Sequence, residues 1–301
     1  MEELGVNSGA TKRMEEYKNK TYDEERALYA VKNVVVENCR FDGPADGESA
    51  LKESSDITVR GCYMNLRYPF WHVTNAHISN CELTPNCRAA LWYDKNVVIE
   101  NCKMNGIKAL RECSDVVLKS STVSSPEFIW KCRDLVIEDV NILESEYPFF
   151  EVENAKITKL KIKGKYSFQY CSNIEITDSE LNTKDAFWHT KNVTVRDTVI
   201  NGEYLGWYSE NLTLINCRIV GTQPFCYCKN LTLKNCVMEK CDLSFERSTV
   251  NAEVLSSIDS IKNPLGGKIV AESVGELIMD KDVIGDTKTT LHCKTQSFSI
   301  K

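Results

Sequence analysis

Apolar and polar residues alternate along this chain in short bursts that recur about every 19 residues. In "LWYDKNVVIENCKM" (91–104) and "FWHTKNVTVRDTVI" (187–200) an aromatic pair precedes an Asn, and Val and Ile then fill every second position. With the Asn as anchor, the register holds at Asn33, Asp56, Asn75, Asn96, Asp115, Asp134, Asn154, Asn173, Asn192, Asn211 and Asn230. One and three residues after each anchor come mostly aliphatic positions, such as Val97 and Ile99 or Val193 and Val195. Alternation with a period of two is the signature of a half-buried strand. Further apolar columns lie eight residues after the anchor (Phe41 to Met238) and five before it (Leu28 to Phe225, interrupted by Gly206).

Three short strands per unit leave no room for a crossover helix, so the pattern predicts an all-β fold: a single-stranded parallel β-helix of about 11 to 12 coils. One coil cannot bury its inner face alone; stacking at the usual strand spacing gives a rod about 50 Å long with one continuous core. Leucine-rich repeats have a similar length but need Leu at fixed positions that this chain does not keep. Six of the seven prolines (Pro44, Pro69, Pro85, Pro126, Pro148, Pro224) fall between the last apolar column and the next coil's first strand. Proline cannot donate to an interior ladder, so this is the loop side. The expected organisation is a polar cap at 1–26, the β-helix at 27–250, and irregular coils with a cap at 251–301, all in one domain.

The anchor column reads as a turn ladder, because Asn tolerates the left-handed backbone and its amides bond from coil to coil. On that reading the sequons at Asn192, Asn211 and Asn230 are ladder members and not glycosylation sites. Asp115 and Asp134 are consecutive anchors, which makes them the candidate metal pair, although calcium wants six or more oxygens. Cys39, Cys62, Cys81, Cys102, Cys217 and Cys236 share a column six residues after the anchor with Ser, Thr, Val and Leu. This describes a slot for small buried side chains, where free Cys acts as a small hydrophobe.

The column four before the anchor holds all five tryptophans: Trp71, Trp92, Trp130, Trp188 and Trp207, with Lys52, Arg111 and Gln169 among them. The next column includes His72, Tyr93, Glu112, Lys131, Glu151, Tyr170, His189 and Tyr208. Successive strand residues point to opposite faces, so both columns reach solvent only if the chain bends between them. With a bend, Trp71, His72, Trp92, Tyr93, Trp130, Trp188, His189, Trp207 and Tyr208 form one surface suited to sugars, rings for apolar faces and polar groups for hydroxyls. Without it, one column is an interior aromatic stack and the charges are a salt-bridge ladder. Arg111, Glu112, Lys131 and Glu151 are the candidate catalytic groups for glycosidic acid–base or lyase chemistry, and equally ordinary cross-strand pairs. The alternative function is a non-catalytic scaffold that uses the same face against a protein or a second copy.

Composition narrows this little further. A chain of 301 residues with net charge -6 has no basic surplus for nucleic-acid phosphates. No apolar run approaches the roughly 18 residues of a membrane span, and the first 20 residues hold no signal core, so the expected address is the cytoplasm. No cofactor is expected.

The phrases "ERALYAVKNVVVENCRFDG", "LKESSDITVRGC", "KDAFWHTKNVTVRDTVINGEYLGWYSENLTLINC", "LSFERSTVNAEV", "DSIKNPLGGKI" and "GELIMD" resemble a bacterial family of functionally uncharacterised proteins. That family lies within the pectin-lyase-like superfamily, and the resemblance runs over about residues 23 to 282. It implies a right-handed parallel β-helix and supplies no activity. Characterised members of the wider superfamily act on polysaccharides as pectate lyases and polygalacturonases. Their Gly-His-Gly, Asn-Thr-Asp, Asp-Asp and Arg-Ile-Lys signatures are absent here. Fold does not carry function, so the chemistry is not inherited.

Overall fold

The computed structural model describes residues 14–43 and 48–295. Residues 1–13 of the expected cap at 1–26, residues 296–301 of the expected segment at 251–301, and Pro44 lie outside these residues. The chain winds into a parallel β-solenoid of about 14 turns with a period near 19 residues. Each central turn contributes a six-residue strand such as Lys95–Glu100 and a shorter one such as Lys103–Met104, and each pairs in register with its equivalent in the next turn. A third face carries two-residue strands, Phe70–Trp71, Leu91–Trp92 and Leu110–Arg111, continued as single bridges through Trp130 to Phe150. The only α-helix among the described residues is Lys281–Ile284, and none is long and apolar enough to cross a membrane.

The solenoid extends past both expected boundaries. Glu15–Lys18 and Thr21–Tyr22 pair with Lys32–Glu37 and Arg40–Phe41, so the stretch read as a polar cap already contains a turn. At the other end, Thr249–Val254, Gly266–Ala271 and Lys288–Cys293 continue the same ladder. The in-register anchor positions there are Met14, Thr249, Gly266 and Lys288. With no Asn or Asp to mark them, these turns are invisible to a search on the anchor.

The anchors occupy the left-handed region, from Asn33 at φ 54° to Asn230 at φ 55°. Their amides form the ladder: Asn173 donates to Asn154 (3.1 Å), Asn192 to Asn173 (3.1 Å), Asn211 to Asn192 (2.8 Å) and Asn230 to Asn211 (2.8 Å). A second left-handed corner, five residues after the anchor, recurs at Asn38, Asn80, Asn101, Asp139, Asp178 and Asn216. Asn192→Ala removes two amide bonds and places a side chain without local polar support in the left-handed region. The expected loss in urea denaturation is about 1–2 kcal/mol, and Asn192→Gly recovers the backbone share of it.

All fourteen cysteines are free, and all but Cys293 are buried. Their columns have a shared use that the small-side-chain reading only half captured. At these corners an N–H of one turn turns inward, and the equivalent side chain of the next turn accepts it. Cys39 N–H meets Cys62 Sγ (3.4 Å), Cys102 N–H meets Ser121 Oγ (3.1 Å), and Leu160 N–H meets Ser179 Oγ (3.0 Å). The column two before the anchor repeats the device with Cys113 on Cys132 (3.4 Å) and Val152 on Cys171 (3.4 Å). Burial pushes the Cys171 thiol up to about 12, which unsuits it as a nucleophile.

Candidate functional site

The bend that the aromatic face requires is present in every turn that carries it. Each residue just after the Trp column takes a positive φ: His72 57°, Tyr93 60°, Glu112 53°, Lys131 54°, Glu151 53°, Tyr170 58°, His189 56° and Tyr208 59°. A left-handed residue reverses the outward sense of the strand, so neighbouring columns reach solvent together. The five tryptophans are half-buried, while Tyr93, Tyr170 and Tyr208 are 42, 52 and 46 % exposed.

The tryptophans are anchored from below. The indole N–H of Trp130 donates to the Tyr147 carbonyl (2.7 Å), that of Trp188 to Tyr204 (2.6 Å), and that of Trp207 to Gln223 (2.9 Å). Gln169 stands in the same column and does the same with its amide, to the Asp185 carbonyl (3.1 Å). This explains how a Gln can replace a Trp there: both reach over the loop corner of the next turn with one donor. Trp71 and Trp92 stack on each other (5.4 Å, 10°), and their N–H groups are buried without a partner.

Stacking along the axis decides what the rings present. Trp188 lies on Trp207 (5.3 Å, 5°), and beside them runs an outer stack of Tyr170, His189, Tyr208 and Tyr227, with centroids 4.8 to 4.9 Å apart. His72 and Tyr93 form a shorter stack at 5.1 Å. Faces inside a stack are covered by neighbours, so the outer rings offer solvent their edges, phenol oxygens and imidazole nitrogens. The expected platform of open ring faces is thereby replaced by a comb of ring edges.

The candidate catalytic groups are tied to each other. Arg111 lies between the rings of Trp92 (5.5 Å) and Trp130 (6.0 Å), and its Nε holds Glu112 at 3.0 Å. Desolvation pushes the Glu112 carboxyl up, but the Arg111 guanidinium bonded to it, with Tyr93 beside it, outweighs this and holds the group below its ordinary value. A general acid at neutral pH needs the opposite shift. Lys131 pairs with Glu151 at 3.6 Å with both side chains nearly half exposed, a contact of little energetic weight. Asp134 accepts an amide bond from Asn154 (3.0 Å) and so serves the ladder, as Asp115 does by its φ of 56°. Among the described residues no three His, Cys, Asp or Glu side chains gather as a metal site.

Two features escaped the sequence reading. Asp94 lies in the column of buried Cys and Ser acceptors, 1 % exposed. A third aromatic column, seven residues before the anchor, borders the tryptophans on the loop side: Tyr147 stacks on Tyr166 (4.8 Å, 17°), and Tyr204 meets Trp207 edge-on (5.7 Å). The even spacing of Tyr147, Tyr166 and Tyr204 relative to the anchors was the available signal.

Among solved structures, the fold is similar to that of PfbA, a surface adhesin of Streptococcus pneumoniae, at 10 % identity and TM-score 0.47 over 87 % of this chain and 82 % of that one. It is also similar to the A-module of the Azotobacter vinelandii mannuronan C-5 epimerase AlgE4, at 9 % identity and TM-score 0.33 over 94 % of this chain and 89 % of that one. No curated protein matches the sequence. The family model for a protein of unknown function, DUF3737, matches residues 15–292, and the chain belongs to that family.

Proposed function

We propose that the protein is a carbohydrate-binding solenoid whose aromatic face recognises an extended chain and performs no acid–base chemistry on it. The observation that carries this reading is the outer stack of Tyr170, His189, Tyr208 and Tyr227. Its hydrogen-bonding edges repeat at one strand spacing beside the half-buried Trp188 and Trp207. The rings are held by one another before any ligand arrives, so little side-chain entropy remains to be lost on binding. Hydroxyl-rich chains match a row of phenol and imidazole groups in both donors and acceptors. The pairing of Glu112 with Arg111 and of Glu151 with Lys131 supports binding over catalysis.

A panel of oligosaccharides titrated against the wild type and against Tyr208→Ala and His189→Ala tests the proposal. Binding by the wild type, weakened about tenfold in each variant with the circular dichroism spectrum unchanged, is the expected result. Absence of binding across the panel defeats it. Edge-on rings flanked by Trp and Arg also suit a protein interface, a second reading. A mass that rises with concentration and falls back in Tyr208→Ala would favour that one.

A further inference from the structure

The loop-side aromatic column has one missing tooth. Tyr166 (φ 58°), Asp185 (φ 52°) and Tyr204 (φ 56°) occupy equivalent positions on three successive turns, and their backbones bond alike to the turn that follows. Where Tyr147 and Tyr166 stack at 4.8 Å, Asp185 puts a short side chain in place of a ring. Tyr166 and Tyr204 are thus two strand spacings apart, about 9.5 Å, and the spacing alone allots the width of one ring to the slot that the shorter Asp185 side chain occupies. Asp185 is 8 % exposed, and its carboxylate makes no hydrogen bond or ion pair. Lys184 and Glu203 beside it are exposed and oppose each other in charge. Burial raises the Asp185 carboxyl above its ordinary value, against the opposing pull of the Lys184 charge.

A desolvated carboxylate at the foot of an aromatic slot is matched by a cation bearing N–H donors, since the rings add cation–π attraction and the carboxylate takes a charge-assisted hydrogen bond. The net charge of -6 draws cations to the surface in the same sense. We propose that Asp185, with Tyr166 and Tyr204, forms a subsite for an ammonium group carried on the carbohydrate, so that the preferred ligand is an amino sugar with a free, unacetylated nitrogen. This deepens the carbohydrate reading and rests on it.

The test is calorimetric titration of the full chain with a glucosamine trimer, an N-acetylglucosamine trimer, a glucose trimer and spermidine. The variants are Asp185→Asn, which removes the charge, and Asp185→Tyr, which fills the slot with the residue its neighbours already carry. The glucosamine trimer is expected to bind roughly tenfold more tightly than the other two sugars and spermidine, with the preference abolished in both variants and weakened by salt. Equal affinity for all three sugars overturns the subsite and leaves the carbohydrate face standing. No sugar binding at all overturns the face itself. A glucosamine preference that survives both variants places the ammonium elsewhere and refutes Asp185. Spermidine binding as tightly as the glucosamine trimer, with the same dependence on Asp185, refutes the amino sugar as carrier.

Discussion

Asp94→Ser should make the protein more stable, by about 1–3 kcal/mol at neutral pH, an uncommon sign for a substitution in a buried core. Asp94 stands where other turns place Cys132, Cys171 or Ser248, each of which accepts one inward N–H with a single atom. Its Oδ1 does that work for the Val73 N–H at 2.8 Å, and its Oδ2 is buried with no partner. Serine keeps the acceptor and removes the surplus oxygen and its charge. Asp94→Val also removes the charge but orphans the Val73 N–H, so its gain should be smaller.

The sign with pH follows from the direction of the shift. Burial, and secondarily Cys113 nearby, raise the Asp94 carboxyl well above its ordinary value, so the folded state holds the proton more firmly than the unfolded chain. The stability from this proton is complete below the unfolded carboxylate value of about 3.9 and is lost as pH rises through the folded one. The melting temperature of the wild type should therefore fall relative to Asp94→Ser between about pH 4 and neutrality. Parallel melting-temperature profiles for the two proteins would contradict this account of Asp94.

Why the sequence revealed the core but not the face is a matter of which signals are local. Val97 and Ile99, or Val193 and Val195, face inward because strand residues alternate, and alternation is written directly in the residue order. The Asn ladder was legible because few residues suit a left-handed corner. The bend after the Trp column was not, because left-handed His72, Glu112 and Lys131 carry no compositional mark of that backbone. The orientation of Trp188 depended on that bend. Whether its ring shows a face or an edge depended further on Trp207, one full turn away. Asp94 was hidden for a related reason: its surroundings are Val73 and Cys113, each about a turn distant in sequence.

Phe168→Ala should cost about 3–5 kcal/mol and should split the unfolding transition. The Phe168 ring is fully buried between Phe149 (4.6 Å, 12°) and Phe187 (5.2 Å, 9°), in the inner stack beneath the aromatic face. A solenoid is held together turn by turn, so a void at one turn weakens the coupling between the two parts of the rod on either side of it. Two transitions by circular dichroism, or one visibly broadened, are expected where the wild type gives one. The backbone adds a less usual ordering. Phe168 has φ 60°, a conformation that costs a non-glycine residue roughly 1–2 kcal/mol. Phe168→Gly releases that strain while Phe168→Ala keeps it, so the glycine variant should be the more stable of the two. The chain already contains the comparison at Gly206, the one glycine in this column, at φ 73°. There the Phe225 ring lies where a side chain would go, with its Cδ1 2.8 Å from the position of an added Cβ. A ring from the next turn can therefore lean into a vacated slot, which limits the cavity at a glycine. If alanine at 168 proves as stable as glycine, the left-handed backbone is not strained in this column and the packing of the rings alone sets its energy.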